Sequence, residues 1–369
     1  MKFTCTQAAL SKALNVVSKA VSVRTTIPIL KGILLHVQDG RLTLTASDLD
    51  LSIETIMDVG DVEEGSAVVS ARLFEDIIKR LPSALVSIET GDQNSLSISC
   101  LSSDFSIVAL PAEEFPSIGS IKEEKRIIVQ RDALKNLIKK TTFSASIDEK
   151  KGILTGCLLE LKQNEIVAVA LDGFRMAVAA EQTEEAGEGS IVVPARILNE
   201  VVKLLGESVQ EEEIVLLLDD KKMEIRTKDT RVISRLMEGD FIKYEDIIPK
   251  TFKTRCVIDR KEILSAIERA SLLAREGKNN LIKMTIANGQ IEMTSRSEEG
   301  NVKEVIFCEI EGEELVIGFN TKYIADALKT VENEEIVLEM STNTSPCLIK
   351  PIEGNSFLYL ILPVRIAAS

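Results

Sequence analysis

The sequence predicts an α+β fold made of three tandem copies of one domain. Three observations support this prediction: the chain has 369 residues, similar helical segments recur about every 125 residues, and strand-like runs separate these segments. A chain of this length exceeds the size at which a single hydrophobic core stops growing. We therefore predict domains at residues 1–122, 123–250 and 251–369, each with two units of one strand, one helix and three strands.

The helical repeat is clearest in three segments that begin at Val69, Val193 and Phe319. In each segment, apolar residues recur at positions i, i+1, i+4, i+5 and i+8, which is the buried stripe of an amphipathic helix. A second set of helices opens each copy, at residues 7–14, 131–138 and 260–267. Chance similarity would explain one such pair, but three copies in the same order favour a triplication.

Alternating apolar and polar residues between the helices predict strands. The runs at 33–37 and 41–45, for example, lie on either side of a turn. Such runs follow each helix, so we expect three strands after every helix. The predicted boundaries between the copies lie near 117–125 and 249–255.

The six predicted helices are positively charged, although the chain carries a net charge of -14. They contain 17 basic and seven acidic residues, so the remainder of the chain is strongly acidic. Basic residues seven positions apart, about two helical turns, project on one side of a helix. Such pairs are Arg72/Lys79, Arg196/Lys203, Lys322/Lys329 and Lys12/Lys19. The pattern predicts a basic surface that binds phosphates without reading sequence; ordinary solvated helix surfaces are the alternative.

Three tandem copies can form a row or a ring. A domain of roughly 120 residues has a diameter of about 35 Å. Three such domains leave a hole of about 5 Å, whereas six leave about 35 Å, which admits a DNA duplex with a layer of water. Encirclement of DNA would therefore require two chains that pair head to tail about a two-fold axis.

Composition disfavours membrane and metal-binding proteins. No apolar run approaches the roughly 20 residues of a membrane span, and the first residues lack the features of a signal peptide. We therefore expect a soluble, cytoplasmic protein. The six cysteines lie far apart and the chain has one histidine, so we expect reduced core thiols, no metal and no cofactor.

An enzyme is the main rival class, and no catalytic cluster can be assembled. The chain has no phosphate-binding loop, nucleophile elbow or HExxH motif. We interpret His36 as structural because no second histidine can work with it. Asp48, Asp50 and Asp172 could act as acid or base groups, but we expect them at strand ends, where aspartate commonly caps backbone N–H groups. We therefore expect no enzymatic activity.

Several segments together resemble the signature segments of one family. They are 24–30 (RTTIPIL), 171–177 (LDGFRMA), 193–196 (VPAR), 238–241 (EGDF), 318–320 (GFN) and 362–365 (LPVR). In order and spacing they are similar to the bacterial DNA polymerase III beta subunit, the replication sliding clamp. The resemblance implies a processivity factor: a homodimeric ring of six domains whose helices line the hole and whose sheets form the outer rim. The alternative is a scaffold that binds only proteins. The basic helices distinguish the two, because such a scaffold would not need them.

The resemblance also implies a cytoplasmic, nucleoid-associated protein with several partners. These are duplex DNA, a second copy of the chain, the DNA polymerase III catalytic subunit, an ATP-driven clamp loader and other proteins with a clamp-binding motif. Such proteins would dock a short peptide between the second and third domains. Carried over by motif, the pocket walls would be Leu154, Leu171, Gly173, Phe174, Arg175, Met176, Ile242, Ile247, Thr344, Pro346, Leu360, Leu362, Pro363, Val364 and Arg365. From the residues alone, 357–362 equally predicts a final core strand.

The basic helices and one loop supply the candidate DNA contacts, with Arg24, Arg72 and Lys79 as the leading candidates. The complete set is Arg24, Arg72, Lys79, Lys12, Lys135, Lys139, Lys150, Lys151, Arg196, Lys203, Lys322 and Lys329. Gly152 stands where the family commonly has proline or an aromatic residue, so stacking on DNA is in doubt there, although the two neighbouring lysines could still reach phosphates.

The rim of the pocket and the ring interface complete the set of expectations. Ile242 and Asp246 stand where some family members have proline and arginine, which predicts a more acidic rim. The resemblance implies a ring interface between Phe105 and Ile107 of the first domain and Leu272 and Leu273 of the third. Core burial within each domain is the competing explanation for these four residues.

Overall fold

The computed structural model describes residues 1–22, 25–92, 94–119, 121–122, 125–183, 187–207, 213–276 and 280–366. The chain divides into two compact units. Unit 1 comprises Met1–Arg131 with Lys203–Leu236, and unit 2 comprises Asp132–Val202 with Met237–Ser369. Strands of the second copy therefore contribute to both units.

The described residues contain six α-helices: α1 (Gln7–Val17), α2 (Ala71–Arg80), α3 (Arg131–Lys139), α4 (Ala195–Glu207), α5 (Arg260–Ala274) and α6 (Thr321–Lys329). The strands are β1 (Lys2–Thr6), β2 (Gly32–Gln38), β3 (Arg41–Ser47), β4 (Leu51–Asp58), β5 (Gly60–Glu63), β6 (Gly65–Ser70), β7 (Leu85–Gly91), β8 (Ser95–Cys100), β9 (Ser103–Leu110), β10 (Lys125–Gln130), β11 (Gly156–Lys162), β12 (Glu165–Leu171), β13 (Arg175–Gln182), β14 (Gly189–Pro194), β15 (Glu213–Leu218), β16 (Lys222–Arg226), β17 (Thr230–Arg235), β18 (Thr254–Asp259), β19 (Leu281–Ala287), β20 (Gln290–Ser297), β21 (Gly300–Phe307), β22 (Glu309–Gly312), β23 (Leu315–Asn320), β24 (Glu335–Met340), β25 (Cys347–Lys350) and β26 (Phe357–Ile361).

The predicted order of one strand, one helix and three strands is confirmed six times along the chain. Two short strands were not predicted: β5 follows β4 after one residue, and β22 follows β21 in the same way. Each crosses to a neighbouring strand, β5 to β1 and β22 to β18. Their sequences, GDVE and EIEG, are too short and too polar to show the alternation that identifies a half-buried strand.

The repeat extends to single backbone hydrogen bonds. Residues at the end of the third strand donate to the preceding hairpin turn in every copy: Val59 N to Gly40 O at 3.0 Å, Thr183 N to Asn164 O at 2.9 Å and Cys308 N to Gly289 O at 3.0 Å. The same hydrogen bond can recur in three copies only if their backbones follow equivalent paths. Unrelated segments that merely share amphipathic helices would not have this equivalence. The triplication is therefore structural as well as sequential.

Three of the helices begin at side-chain caps, whereas Ser70 before α2 makes no such bond. Thr6, Asp259 and Asn320 accept hydrogen bonds from first-turn N–H groups of α1, α5 and α6, which satisfies donors that have no helical partner. In unit 1, α1 packs against α2, and in unit 2, α5 packs against α6. None of the helices in the described ranges is long and apolar enough to cross a membrane.

Unit 1 contains one antiparallel sheet of 13 strands, in the order β10-β15-β16-β17-β4-β3-β2-β6-β9-β8-β7-β1-β5. Its first and second copies meet where β4 pairs with β17, with Ile53 opposite Val232. Unit 2 contains a nine-stranded sheet, β14-β11-β12-β13-β26-β25-β24-β18-β22, and a four-stranded sheet, β21-β20-β19-β23. Its second and third copies meet where β13 pairs with β26, with Ala177 opposite Tyr359.

We call each of these strand pairings between successive copies a seam, β4 with β17 being the first seam and β13 with β26 the second. The two seams have the same register. Val232 and Tyr359 are equivalent, because each lies opposite the matching isoleucine of the preceding strand, Ile225 or Ile349. The same exit bond follows each seam: Arg235 N donates to Asp50 O, and Leu362 N donates to Phe174 O, both at 2.9 Å. The strand pairing between successive copies is therefore one interaction used twice.

A buried ionic network lies across the first seam. Glu224, whose side chain is 1% exposed, accepts hydrogen bonds from Arg231 Nε at 3.1 Å and Arg226 Nε at 2.8 Å. Arg231 also donates to Glu54 Oε1 at 3.1 Å, from β17 to β4. Burial by itself would raise the pKa of Glu224, but the hydrogen bonds from both arginines outweigh it and hold the pKa below its usual value.

We expect Glu224→Gln to lower the free energy of unfolding by about 1–3 kcal/mol at neutral pH, because it removes the buried negative charge that Arg226 and Arg231 share. The matched control is Glu89→Gln, which removes a half-exposed ion pair with Lys2 and should cost less than about 1 kcal/mol. Urea unfolding of both variants measures the difference. Equal losses would contradict a special role for the network.

The same variants predict a pH dependence. Because the pKa of Glu224 is lower in the folded protein, its ionised form stabilises the fold above the usual carboxyl pKa, and this contribution is lost as pH falls through the folded value. The difference between the wild type and Glu224→Gln should therefore narrow below about pH 4. A difference in unfolding free energy that stays constant well below that pH would contradict this assignment.

Candidate functional site

Most of the candidate DNA contacts are exposed on the helices. Their buried neighbours face the cores: Phe74, Ile77 and Ile78 of α2, for example, are buried, whereas Arg72 and Lys79 are exposed. The exposed candidates are Lys12, Arg72, Lys79, Lys139, Lys150, Arg196, Lys203, Lys322 and Lys329. Lys135 and Lys151 are half-buried, and Arg24 lies outside the described residues.

Several of these cations have acidic neighbours on the helix surface. Lys79 pairs with Glu75 and Lys322 with Asp326, both one helical turn away, and Lys329 Nζ lies 2.9 Å from Glu268. In the first two pairs the carboxylate is mostly buried, whereas in the Lys329–Glu268 pair both side chains are about half exposed. Ion pairs of exposed side chains contribute little because water screens them, so a phosphate could replace Glu268 at low cost.

The turn between β12 and β13 is held by one carboxylate. Asp172 Oδ1 accepts hydrogen bonds from the N–H groups of Phe174 at 2.8 Å and Arg175 at 3.0 Å. Gly173 has a φ of +91°, a left-handed conformation that favours glycine. The turn thereby presents the Phe174 ring, which is 53% exposed.

Arg175 lies beneath this turn in a buried ionic and aromatic cluster. Its Nε donates to Asp172 Oδ2 at 3.1 Å and its Nη1 donates to Asp326 Oδ2 at 2.7 Å. The guanidinium carbon lies 4.7 Å from the ring centroid of Tyr323 and 5.4 Å from that of Phe143. Burial would raise the pKa of Asp326, but hydrogen bonds from Lys322 and Arg175 hold it below its usual value.

The predicted pocket walls divide into a buried floor and an exposed rim, all within unit 2. Leu171, Met176 and Leu360 are buried in one apolar cluster, against which Leu154 packs. Exposed apolar side chains at the rim are Phe174, Ile242, Ile247 and Leu362. Thr344 and Arg365 are exposed, Pro346, Pro363 and Val364 are half-buried, and Arg175 is buried.

The final strand is both a core strand and part of this floor. Phe357, Tyr359 and Ile361 of β26 point into the core formed with α5 and α6, whereas Leu358 and Leu360 belong to the cluster beneath the pocket. Both interpretations of 357–362 are thus compatible, because alternate side chains of a strand face opposite sides.

The segment from 237 to 248 covers the same apolar cluster. Met237, Phe241 and Ile248 pack against it, and Tyr244 is buried in it with its hydroxyl donating to Glu160 Oε2 at 2.7 Å. Ile242 and Asp246 are exposed between these anchors. The departures from the family pattern therefore lie on the solvent side of this segment.

The backbone conformation at Gly152 favours glycine. Its φ of 52° and ψ of −119° interrupt the helical turn at Glu149–Thr155. A side chain in this conformation would be strained. The loop thus keeps Lys150 and Lys151 in a tight turn instead of presenting a ring.

The candidate interface residues lie on β9 (Phe105 and Ile107) and near the end of α5 (Leu272 and Leu273). Phe105 is 41% exposed and Leu272 is 66% exposed, while Ile107 and Leu273 are half-buried. Core burial within a domain therefore does not account for Phe105 or Leu272.

The groups considered for catalysis have structural partners. Asp48 and Asp172 cap backbone N–H groups of their hairpin turns. Asp50 differs from the expectation: its carboxylate lies 3.9 Å from Arg235 Nη1. His36 contacts Ser66 Oγ and Gln38 Oε1. Five of the six unpaired cysteines are buried, and Cys308 is half-buried.

Two neighbours of Phe174 were not recognised as such from the sequence: Tyr323 was assigned to a helix stripe and Lys151 to the DNA contacts. Tyr323 stacks on Phe174 with ring centroids 6.2 Å apart, and Lys151 Nζ lies 5.2 Å from the centroid of the same ring. Tyr323 occupies the stripe position of Leu73, which is 48% exposed in the first copy. The openness of this stripe position is visible only in the folded chain, so the sequence carried no signal for it.

Comparison with known proteins agrees with this architecture. Three models of the DNA polymerase III beta subunit match the chain in order: the N-terminal domain at residues 1–119, the central domain at 128–243 and the C-terminal domain at 245–365. The chain belongs to the DNA polymerase III beta subunit family. A relative in Bacillus subtilis, named beta sliding clamp, is 38% identical over 99% of this chain and 100% of its own.

Solved structures of the family have the same fold. The DNA polymerase sliding clamp of Bacillus subtilis aligns with a TM-score of 0.94 at 38% identity, covering 99% of each chain. A sliding clamp from Pseudomonas aeruginosa, bound to griselimycin, aligns with a TM-score of 0.93 at 28% identity over 99% of this chain and 100% of that one. The α+β clamp-domain fold predicted from the sequence is confirmed.

Proposed function

We propose that the chain is a DNA sliding clamp that encircles duplex DNA as a head-to-tail homodimer of three-domain chains and tethers the replicative polymerase through its peptide pocket. The match to beta sliding clamps over essentially the whole chain carries this proposal. The clamp itself is non-catalytic: it raises processivity by keeping the polymerase on its template.

The helix charges support a DNA-facing role. Five of the six helices are net positive and α4 (Ala195–Glu207) is neutral, in a chain of net charge -14, and the paired cations of α2 and α6 lie opposite the buried faces. Weak, exposed phosphate contacts suit sliding, because each can exchange while the closed ring prevents loss of the DNA. Acidic surfaces elsewhere would repel DNA from the outside of the ring.

The strand edges support closure by a second copy. Each of the six units ends in a third strand. Four of these strands pair with one another at the seams, β4 with β17 and β13 with β26. The equivalent strands left over are β21 and β9: β21 ends its sheet, and β9 bonds β8 on one side and only Val68 and Val69 on the other. Exposed strand edges are templates for pairing. We infer that β9 of one copy pairs with β21 of its partner.

The two internal seams fix the register expected for this pairing. Val302 is equivalent to Ile53 and Ala177, and Phe105 is equivalent to Val232 and Tyr359. Phe105 should therefore lie opposite the partner subunit's Val302. A cavity of about 620 Å³, lined by Ala274, Ser295 and Val302 among others, lies beside β21 and could receive the ring.

The next pair in this register carries opposite charges. Lys303 would face Asp104, at the positions where Glu54 faces Arg231 in the first seam and Val178 faces Leu358 in the second. The first seam contains an ion pair at 3.1 Å between those residues. The closing seam would thus use the same position with the charges exchanged between the strands.

The apolar rim and buried floor of unit 2 support peptide docking. Four exposed apolar side chains around a packed apolar floor form the kind of surface that binds an apolar peptide. The docked segments would come from the DNA polymerase III catalytic subunit, the clamp loader and other proteins with the same motif.

Charge reversal of the helices tests DNA binding. The variant Arg72→Glu, Lys79→Glu, Arg196→Glu and Lys203→Glu should lower the affinity for duplex DNA by at least about tenfold and flatten its salt dependence, because phosphate contacts release counterions. Griselimycin binding should stay unchanged. Fluorescence anisotropy with labelled duplex measures the effect.

The matched control reverses four exposed cations of strands and loops: Arg41, Lys162, Lys250 and Lys253. It changes the net charge equally but should affect DNA binding much less. An equal loss in both variants would indicate a general charge effect. Unchanged DNA binding in the helix variant would favour a protein-only scaffold.

A charge exchange tests the register of the closing seam. Asp104→Lys and Lys303→Asp should each raise the dimer dissociation constant by about tenfold, because like charges would lie opposite one another. The double variant should recover most of the affinity in analytical ultracentrifugation. Asp104→Lys combined with Lys162→Asp, which changes an exposed lysine of β11 in the nine-stranded sheet, should not recover it. Equal recovery in both double variants would exclude this register.

A further inference from the structure

We propose that Lys151 is a positioning residue of the peptide pocket, not a phosphate contact as the sequence suggested. This inference rests on the proposed function and specifies one part of it. Lys151 holds the Phe174 ring at the pocket rim, and its neighbour Lys150 is the cation of this loop that is available to DNA.

Two contacts join Lys151 to the turn that carries Phe174. Its ammonium donates a hydrogen bond to Asp172 O at 2.6 Å. The same nitrogen lies 5.2 Å from the Phe174 ring centroid, within the range of a cation–π interaction. One side chain therefore fixes both the backbone and the ring of the turn.

Phe174 has a second aromatic contact. The ring of Tyr323 stacks on it with an interplanar angle of 22°. Tyr323 is itself held over the guanidinium of Arg175, which is 9% exposed and bonded to two carboxylates. Lys151 and Tyr323 thus both restrain an aromatic ring that is otherwise 53% exposed.

Such restraint favours peptide binding. A large apolar side chain that rotates freely must lose that freedom when a peptide packs on it, and this loss weakens binding. A ring that is already held in place avoids much of that loss. Lys151 therefore contributes to affinity without touching the peptide.

Lys150 differs from Lys151 in the contacts of its ammonium group. It is exposed, and its ammonium makes no hydrogen bond or ion pair with the residues that the structure describes. Binding of a phosphate by Lys151 would require its bond to Asp172 O to break, whereas Lys150 loses no contact. Two adjacent lysines of equal charge thus have separable roles.

The experiment compares Lys151→Met with Lys150→Met in the full-length protein. Both substitutions keep most of the side-chain length and remove the charge. Binding of griselimycin and of the intact DNA polymerase III catalytic subunit is measured by calorimetry, and binding of duplex DNA by anisotropy. Lys151→Met should weaken binding of both pocket probes by about 3- to 20-fold, with DNA affinity within about twofold. Lys150→Met should show the reverse pattern.

Two further variants distinguish the possible failures. Lys151→Arg, which retains a cation and donors, should restore part of the affinity for the pocket probes at an unchanged melting temperature. Phe174→Ala should weaken both probes at least as much as Lys151→Met. If Phe174→Ala weakens binding but Lys151→Met does not, the role of Lys151 is excluded and the pocket stands.

The remaining outcomes contradict the inference in other ways. If Lys151→Met lowers the DNA affinity as much as Lys150→Met does, Lys151 contacts DNA and the inference is wrong. If neither probe binds the wild type, or if Phe174→Ala binds both normally, the proposed pocket fails and the inference fails with it.

Discussion

The arrangement of this chain depends on one interaction, the antiparallel pairing of a third strand from one copy with a third strand from the next. It occurs twice, with equivalent residues opposite one another: Ile53 with Val232, and Ala177 with Tyr359. Backbone hydrogen bonding makes the pairing possible whatever the side chains are. The residues on the two faces of the strands can then differ from seam to seam, which allows one geometry to serve several purposes.

The differences between the seams are chemical. At the first seam Asp50 and Arg235 surround the exit hydrogen bond as a weak ion pair, whereas at the second Phe174 and Leu362 occupy these positions as exposed apolar side chains. The same backbone therefore carries a polar surface in one place and the apolar rim of a pocket in the other. In the closing seam that we propose, Lys303 and Asp104 would replace Glu54 and Arg231 with exchanged charges.

Much of the fold could be predicted because it is local. Helix stripes, such as Ile77 and Ile78 in α2, and the cations spaced seven residues apart follow from short spacings in the sequence. Contacts between distant residues could not be predicted in this way. Arg175 was expected on a pocket wall; it is buried, and it donates a hydrogen bond to Asp326, a residue 151 positions away, which was not expected. No spacing pattern identifies such a partner.

The same limit applies to the loop before β11. Its two lysines are indistinguishable in sequence, and both were expected to contact DNA. Their difference arises from folding, which brings Asp172 O to Lys151 and leaves Lys150 in solvent. Gly152 also had a reason that the sequence did not reveal, because its positive φ is a property of the folded turn. Residues whose role depends on tertiary neighbours are thus the ones that local patterns describe least well.

The central claim is that the closed ring, not the strength of any contact, holds the protein on DNA. The most direct test loads the protein onto nicked circular plasmid with an ATP-driven bacterial clamp loader and separates complexes by gel filtration, before and after the plasmid is cut once. We expect retention on the circle and release after linearisation, since a ring slides off free ends. Equal retention on both forms, or none on either with an active loader, would contradict encirclement.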